Sequence, residues 1–332
     1  MLVVPTGYMS SGSSAITDLI SEFDGFSNVS GSQEFIFMHC PYGVLDLEKS
    51  LINPISHLIS DEAIKRFRDM MSKLYYLEGW WPSYYKTTVS KNFMNYVDEY
   101  LDEITDYKFK GFWYMDEIPS KKPLSVKIKN RINGIKYLEN TEMCLAFPTK
   151  EKFYSASKKF INKIIKDLNK ENKKNIIIDQ LLLPYDLDVL NNYFDNTKLI
   201  IVERDPRDVF VLNSKIDAKV PFPTKALEFA KFYRRLRELS DNRKQDNVLR
   251  VKFEDLIYSY DETLKIIYKF LGINESSHVL KKKFFKPEKS IDNTQIFLDY
   301  KNQDDIKIIE KELKEYLYKF PYVYDKKERD IF

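Results

Sequence analysis

The chain opens on a punctuated stretch in which the apolar residues Leu2 to Val4 run through Gly7-Tyr8-Met9-Ser10-Ser11-Gly12-Ser13-Ser14 into the helical pattern Ala15, Ile16, Leu19, Ile20. A strand, a glycine-and-serine turn and a helix start together make a seat for a phosphate. Backbone N–H groups are unpaired at the helix start, glycines let the backbone close round an anion, and serines add hydroxyl donors. The spacing Gly7, Gly12, Ser13, Ser14 fits G-x-x-x-x-G-K-[ST] at every position but one. Ser13 stands where a lysine would reach the β- and γ-phosphates of a triphosphate. Without that cation a triphosphate is poorly neutralised, so the turn suits a smaller 5′-anion. The competing reading is a serine-rich turn that caps a buried helix.

Further along, strands alternate with helices. Asn175 to Asp179 and Lys198 to Glu203 are apolar runs of the kind buried in a parallel sheet, with helices expected at 148–168, 187–194 and 260–271 and a short strand at Val248 to Val251. This pattern predicts an α/β fold whose ligands sit at the carboxyl ends of the strands. Glu34 to His39 reads as the second strand, after a turn-rich stretch at 26–32. From Asp46 to Tyr114 the period is helical, with Ala63, Phe67, Met70, Met71 and Leu74 on one face and Phe93, Tyr96, Val97, Tyr100, Leu101 and Ile104 on another. Residues 118–145 are lysine-rich and irregular, with a strand pair expected to end at Met143-Cys144-Leu145. A terminal helix is expected near 303–317.

At 332 residues with 43% apolar and 15% aromatic side chains, the chain can bury a large core. Its 53 basic and 50 acidic residues leave a formal charge of +3, too balanced for a nucleic-acid coat. Two cysteines, Cys40 and Cys144, and three histidines give neither a disulfide framework nor a zinc pattern. No apolar run approaches the ~18 residues of a membrane span, and there is no charged n-region with a cleavage site. A cytoplasmic protein without metal, membrane span or nucleic-acid partner is the expectation.

A second anion site is legible at the end of the 198–203 strand, where the chain reads Arg204-Asp205-Pro206-Arg207-Asp208. Asp205 suits an N-cap, Pro206 the first helical position and Asp208 the first turn, so Arg204 stands at a strand end beside a helix start. From there it can give a phosphate a bidentate contact, and Asn213 or Ser214 can add a donor. Surface pairing of these arginines with Asp205 or Asp208 is the plainer alternative. The run 281–294 packs five lysines, Lys286 and Lys289 among them, with Ser290, Asn293 and Thr294 into a turn-prone loop that can fold over an anion. A solvated charged face is the plainer reading there.

Taken in order, these stretches resemble the sulfotransferases that use 3′-phosphoadenosine 5′-phosphosulfate, particularly bacterial ones. Ser11-Gly12-Ser13-Ser14 is similar to their 5′-phosphosulfate loop, and Val202-Glu203-Arg204-Asp205-Pro206-Arg207-Asp208 to their 3′-phosphate strand and helix. Phe253-Glu254-Asp255-Leu256 before Phe270-Leu271-Gly272 is similar to Y-E-D-L and F-L-G, and 286–294 to the donor-closing loop. The resemblance implies a single P-loop-like, three-layer α/β domain over 1–332, with a central parallel sheet and a helical, aromatic-rich insert at 46–145 forming the acceptor side. It implies donor contacts from Ser10, Ser11, Gly12, Ser13, Ser14, Ala15, Arg204, Asn213, Ser214, Phe253, Lys286, Lys289, Ser290, Asn293 and Thr294, with adenosine 3′,5′-bisphosphate as product. A donor with a phosphate on each side of the ribose needs two separated anion sites and no γ-phosphate lysine, which accounts for Ser13.

Family members with a carboxylate base place it shortly after the first helix, which implies Glu34, with His39 as the alternative. Two departures stand out. Relatives carry Lys or Arg where this chain has Ser10, and they carry a serine where it has Leu212, so Asn213 or Ser214 would have to substitute. Phe253 stands at the tyrosine of Y-E-D-L, either as an aromatic face for adenine or as core, while Glu254 and Asp255 are expected to fix local structure. Trp80-Trp81-Pro82-Ser83-Tyr84-Tyr85 and Phe112-Trp113-Tyr114 offer flat rings suited to a sugar, so the acceptor is expected to be a small molecule, saccharide or glycolipid. A P-loop kinase-like phosphotransferase with Asp179 holding Mg²⁺, and a non-catalytic nucleotide-binding module, are the rival readings.

Overall fold

Strand β1 (Leu2–Gly7) is buried along its whole length and leads through the glycine-serine turn into helix α1 (Ser13–Ser21) and strand β2 (Phe26–Asn28). Helices α2 (Val44–Leu51), α3 (His57–Tyr76), α4 (Tyr85–Thr88) and α5 (Phe93–Ile104) follow, then strands β3 (Tyr107–Gly111) and β4 (Thr141–Leu145) and helix α6 (Lys150–Leu168). The rest of the chain runs β5 (Asn175–Ile177), α7 (Leu190–Tyr193), β6 (Thr197–Glu203), α8 (Pro206–Lys215), α9 (Ala226–Glu238) and β7 (Val248–Lys252). It closes with α10 (Asp255–Tyr258), α11 (Tyr260–Leu271), α12 (Pro287–Ser290) and α13 (Gln303–Glu312). This computed structural model describes residues 1–8, 10–31, 33–78, 84–111, 128, 141–185, 187, 190–215, 222–240 and 245–324. Two compact units divide the chain, one of Met1–Ile36 with Leu168–Phe332 and one of Phe37–Asp167. The second takes in the 46–145 stretch and extends beyond it on both sides.

The first unit is built on a parallel sheet in the order β2-β5-β1-β6-β7. The chain leaves β1 toward β2 on one side and later leaves β6 toward β7 on the other. Connections of one hand therefore lie on opposite faces of the sheet, which gives the α/β class with a central parallel sheet flanked by helices. They also create a crevice between the carboxyl ends of β1 and β6, the position where open α/β sheets bind ligands. Register brings those ends together, from Leu2 opposite Thr197 to Gly7 opposite Val202. Helix α1 packs here through Ile16, Leu19 and Ile20, all fully buried against Val3, Ile177 and Ile200 of the sheet. Each such side chain contributes about 1.5–3 kcal/mol.

The second unit is mainly helical, with an antiparallel β3–β4 pair running from Tyr107 opposite Leu145 to Gly111 opposite Thr141. Its core is aromatic: Phe67, Phe93, Tyr100, Phe153 and Phe160 are buried, with the Tyr100 and Phe160 rings stacked at 5.0 Å. The buried faces of α3 and α5 follow the expected period through Phe67, Met71 and Leu74 and through Phe93, Val97, Tyr100, Leu101 and Ile104.

Several sequence expectations are corrected. The second sheet strand is β2 at 26–28, paired with β5, whereas 33–36 is irregular and 37–39 forms a turn. Phe35 and Phe37 are buried all the same, so an apolar run bought its burial as loop, without a ladder partner. The helical period expected to reach Tyr114 stops at Ile104, because Tyr107-Lys108-Phe109-Lys110 alternates with the period of a strand. The terminal helix stops at Glu312 and a single 3₁₀ turn, Lys314–Tyr316, follows. Helix 187–194 is reduced to α7, with 186, 188 and 189 outside the described residues. Also outside them lie Met9, Ser32, Trp80, Trp81, Pro82, Ser83, Phe112, Trp113, Tyr114 and most of the lysine-rich 118–140 segment.

Candidate functional site

The turn after β1 is shaped by close approach. A Cβ on Gly7 would lie 2.7 Å from the Val202 carbonyl of β6, and one on Gly12 would lie 2.9 Å from the Phe253 ring, with Gly12 at φ +89°. Gly12 occupies the N-cap of α1 and brings no side chain to cap it. The Ala15 N–H donates to the Gly12 carbonyl at 3.0 Å, which leaves the Ser13 and Ser14 N–H groups open among the described residues, at the positive end of the helix dipole. Ser11 and Ser13 are buried and Ser14 is exposed. Gln180, three residues beyond β5, fixes the Ser13 side chain by donating to Oγ at 3.0 Å, and itself accepts from Thr6 Oγ1 at 3.2 Å.

Arg204 enters the same crevice from the end of β6. It is 6% exposed, its Nη1 donates to the Ser10 carbonyl at 3.0 Å, and its Nη2 donates to the Asn293 carbonyl. The guanidinium lies 4.7 Å from the Phe253 ring centroid. Burial lowers its pKa below the ordinary arginine value, opposed by Asp208, Glu254 and Asp205. Beside it, Ser10 Oγ donates to Asn213 Oδ1 at 2.8 Å. Two buried donors in this cluster have no partner among the described residues, Arg204 Nε and Asn213 Nδ2. Leaving a buried donor unpaired costs about 1–3 kcal/mol, a cost this cluster carries twice. Ser214 differs, because its hydroxyl donates to the Val211 carbonyl at 2.8 Å within α8.

The lysine-rich segment is framed by two buried carboxylates. Glu22, fully buried, accepts from the N–H groups of Lys282 (2.9 Å), Phe284 (2.8 Å) and Phe285 (2.9 Å) and pairs with His278 Nε2 at 2.6 Å. Asp208, also fully buried, accepts from Gln295 N–H at 2.8 Å and Phe297 N–H at 3.2 Å. Lys286 is half-buried at the N-cap of α12, Lys289 is exposed and Ser290 half-buried. The Thr294 hydroxyl is tied to Tyr258 and the Ile291 carbonyl. Phe253 is 5% exposed and belongs to the hydrophobic core, with Gly12 and Arg204 against its ring. Glu254 Oε1 accepts from the Asp205 N–H at 2.8 Å, and Asp255 accepts from the Tyr318 hydroxyl at 2.9 Å.

A pair of carboxylates adjoins the first turn. Burial, and then the charge of Asp179, push Glu34 up to about 7. Asp179 follows β5, is 9% exposed, and has an Oδ1 without a partner among the described residues. Burial raises it to about 6, partly offset by the Ser13 and Thr17 hydroxyls. His39 lies in the turn at 37–40, within the Phe37–Asp167 unit. Among the described residues no group of three or more His, Cys, Asp or Glu could hold a metal ion, and no helix is long and apolar enough to cross a membrane.

Sequence reasoning paired the 5′ turn with Arg204 and missed Gln180, which holds Ser13, and Glu22, which holds the 282–285 backbone; it named Asp208 and Asn293, but not that Asp208 accepts from the Gln295 and Phe297 N–H groups or that the Asn293 carbonyl accepts from Arg204. With the geometry in hand, comparison with known proteins decides the family. The family model described as "Sulfotransferase family" matches residues 11–277. The chain belongs to the sulfotransferase family. No curated protein matches it. Solved structures similar to this sulfotransferase include the sulfotransferase domain from the Synechococcus PCC 7002 olefin synthase, 15% identical over 97% of this chain and 88% of that one, at a TM-score of 0.35. Another is sulfotransferase STF9 from Mycobacterium avium, 8% identical over 95% of this chain and 75% of that one, at 0.38. Mouse sulfotransferase SULT7A1, solved as a complex with PAP, is 19% identical over 47% of this chain and 69% of that one, at 0.32.

Proposed function

We propose that this sulfotransferase takes its sulfuryl group from 3′-phosphoadenosine 5′-phosphosulfate and passes it to a hydroxyl or amine of an acceptor, with Glu34 as the base. The observation that carries the donor assignment is the pair of orphaned buried donors, Arg204 Nε and Asn213 Nδ2, beside an uncapped helix start. One anion seat is a helix N-terminus and the other is an arginine at a neighbouring strand end, which suits a nucleotide phosphorylated at both 5′ and 3′ positions. The donor brings the activated sulfuryl group, and the protein's part is to position, neutralise charge and move a proton.

In this reading the N–H groups of Ser13 and Ser14, with the hydroxyls of Ser11 and Ser13, hold the 5′ end, and Ala15 closes the turn behind them by donating its N–H to the Gly12 carbonyl at 3.0 Å. Arg204, Asn213 and the hydroxyl of Ser10 hold the 3′-phosphate, and Lys286, Lys289 and Ser290 supply the cation and donors that Ser10 does not. The Phe253 ring lies 4.7 Å from the Arg204 guanidinium and backs it on one side. Glu34, poised near neutrality, accepts the acceptor's proton at a carboxylate oxygen, where a base is best matched to a working pH near 7. The aromatic-rich segment 46–145 is the proposed source of acceptor contacts, and its composition favours a carbohydrate or glycolipid. The cytoplasm, where cysteines stay reduced, is the proposed location.

Thermal-shift measurements with adenosine 3′,5′-bisphosphate, AMP and Mg²⁺-ATP test the donor. At one hundred times Kd the bisphosphate should add about 2.7 kcal/mol of stability, and Arg204→Lys and Arg204→Ala should both remove that gain. Equal or larger stabilisation by Mg²⁺-ATP would overturn the assignment in favour of a kinase-like site. For the base, Glu34→Gln should lower kcat about 10²–10⁴-fold with bisphosphate binding unchanged. Wild-type turnover in that variant would pass the role to His39.

A further inference from the structure

Residues 279–285, in the unit that carries the parallel sheet, form a tight turn whose inner side is fixed by one buried residue. The Glu22 carboxylate accepts from the N–H groups of Lys282, Phe284 and Phe285, and the Glu22 carbonyl accepts from the Leu280 N–H at 3.1 Å. The Lys283 N–H closes the turn on the Leu280 carbonyl at 3.0 Å, with Lys282 at φ +60°. Phe285 anchors it from within, 2% exposed and stacked on Tyr260. A backbone held at so many points cannot easily turn its outer side chains inward, so the fold itself sets what this turn presents to its surroundings.

It presents apolar side chains and cations together. Val279, Leu280 and Phe284 are 59%, 38% and 47% exposed, and Lys281, Lys282 and Lys283 between them are all exposed. Lys282 Nζ lies 5.3 Å from the Tyr260 ring centroid and Lys283 Nζ 5.2 Å from that of Phe284, and neither makes an ion pair among the described residues. Lys281 meets Glu275 at 3.5 Å, but both are exposed and water screens such a pair. Over 279–289 the sequence sets five lysines against the single acid Glu288. A soluble polyanion would engage the lysines and leave three apolar side chains in water, whereas an apolar protein face would have to strip the lysines of water. A bilayer surface that carries anionic lipid accommodates both: headgroups neutralise the ammonium groups while the apolar side chains enter the boundary of the acyl region.

We propose that the 279–284 turn docks this protein on the surface of an anionic bilayer, with Val279, Leu280 and Phe284 seated below the headgroups and Lys281, Lys282 and Lys283 among the lipid phosphates and carboxylates. Co-sedimentation of the full chain with vesicles of phosphatidylcholine alone, and of phosphatidylcholine with about one-third phosphatidylserine, tests it at about 0.15 M salt. The anionic vesicles should bind at least about thirtyfold more tightly, since each lysine near such a surface is worth about fivefold, and about 0.5 M salt should remove most of the difference. Lys282→Gln combined with Lys283→Gln should weaken binding to the anionic vesicles about tenfold. Val279→Gln combined with Phe284→Gln, which changes no charge, should also weaken it about tenfold. Lys73→Gln, which removes a lysine paired with Asp69 in the other unit, should change nothing. Equal binding to the two kinds of vesicle would overturn the proposal. So would wild-type affinity in the apolar double variant, because the lysines would then be serving a soluble polyanion. The substituted side chains are exposed and leave the N–H groups held by Glu22 in place, and far-UV circular dichroism checks that each variant is folded. No donor or acceptor enters the assay, so its outcome stands apart from that of the sulfuryl-transfer reading.

Discussion

The turn at 7–14 and the segment at 281–297 both serve the same crevice in the proposed chemistry, yet they are built in opposite ways. The turn is made by its own residues: two glycines permit close approach, and the start of α1 supplies the N–H groups. The lysine segment is held by strangers. Glu22 grips it from 260 residues away along the chain and Asp208 from 87. Local geometry leaves a pattern in the sequence, whereas a buried carboxylate that organises a distant loop reads as an ordinary acidic residue on a helix. The difference also predicts that damage to the turn stays local and damage to the frame spreads.

The largest effect is expected at Glu22. Glu22→Ala would strand the buried Phe285 N–H and His278 Nε2 and the part-buried N–H groups of Lys282 and Phe284; the buried groups cost about 1–3 kcal/mol each if left dry and the other two less, so a total near 4 kcal/mol is expected after relaxation. Urea unfolding measures that loss, and trypsin should cut at Lys281 to Lys283 much faster than in the wild type. Glu22→Gln, which retains one acceptor oxygen, should lose about half as much. If the alanine variant kept its stability and its resistance to trypsin, the frame would have to be sought elsewhere.

Gly12→Ala should come next, at about 2 kcal/mol, because an added Cβ meets the Phe253 ring at 2.9 Å in a backbone conformation that side chains resist. Bisphosphate affinity should fall at least about tenfold, since the helix start moves with Gly12. Tryptic cleavage at 281–283 should stay at the wild-type rate. Faster cleavage there would erase the contrast between a self-built turn and a borrowed frame.

Much of the sheet was legible because apolar runs bounded by turns have few other uses: β1, β5, β6 and β7 all fall where those runs predict. Helix α11 matched its period and its end at Gly272. β2 escaped because three residues with one buried side chain, Phe26, are too short to show a period. The apolar 34–39 stretch misled for the converse reason, since burial of Phe35 and Phe37 satisfies hydrophobicity whether or not a neighbouring strand is present. At the site, Gly12 and Arg204 stood out because special backbone and strand-end charge both have sequence signatures. Gln180 did not, because nothing about a glutamine after a strand says that its amide will bridge Thr6 and Ser13.

Asp179 gives the smallest and sharpest test. Its folded-state pKa is raised to about 6 from an ordinary 3.8, so protonation is favoured by folding. The associated stability is fully present below pH 3.8 and is lost as pH rises through about 6. Asp179→Asn, which removes the charge and keeps the shape, should therefore add about 1 kcal/mol at pH 8 and almost nothing at pH 3.5. Glu34 should respond as well, but less. Its rise to about 7 comes first from burial and only then from Asp179, so the acid limb of kcat/KM should move down by about half a unit in the variant. A limb that stays put would mean that the two carboxylates do not sense one another, and Glu34 would then owe its elevated pKa to desolvation alone.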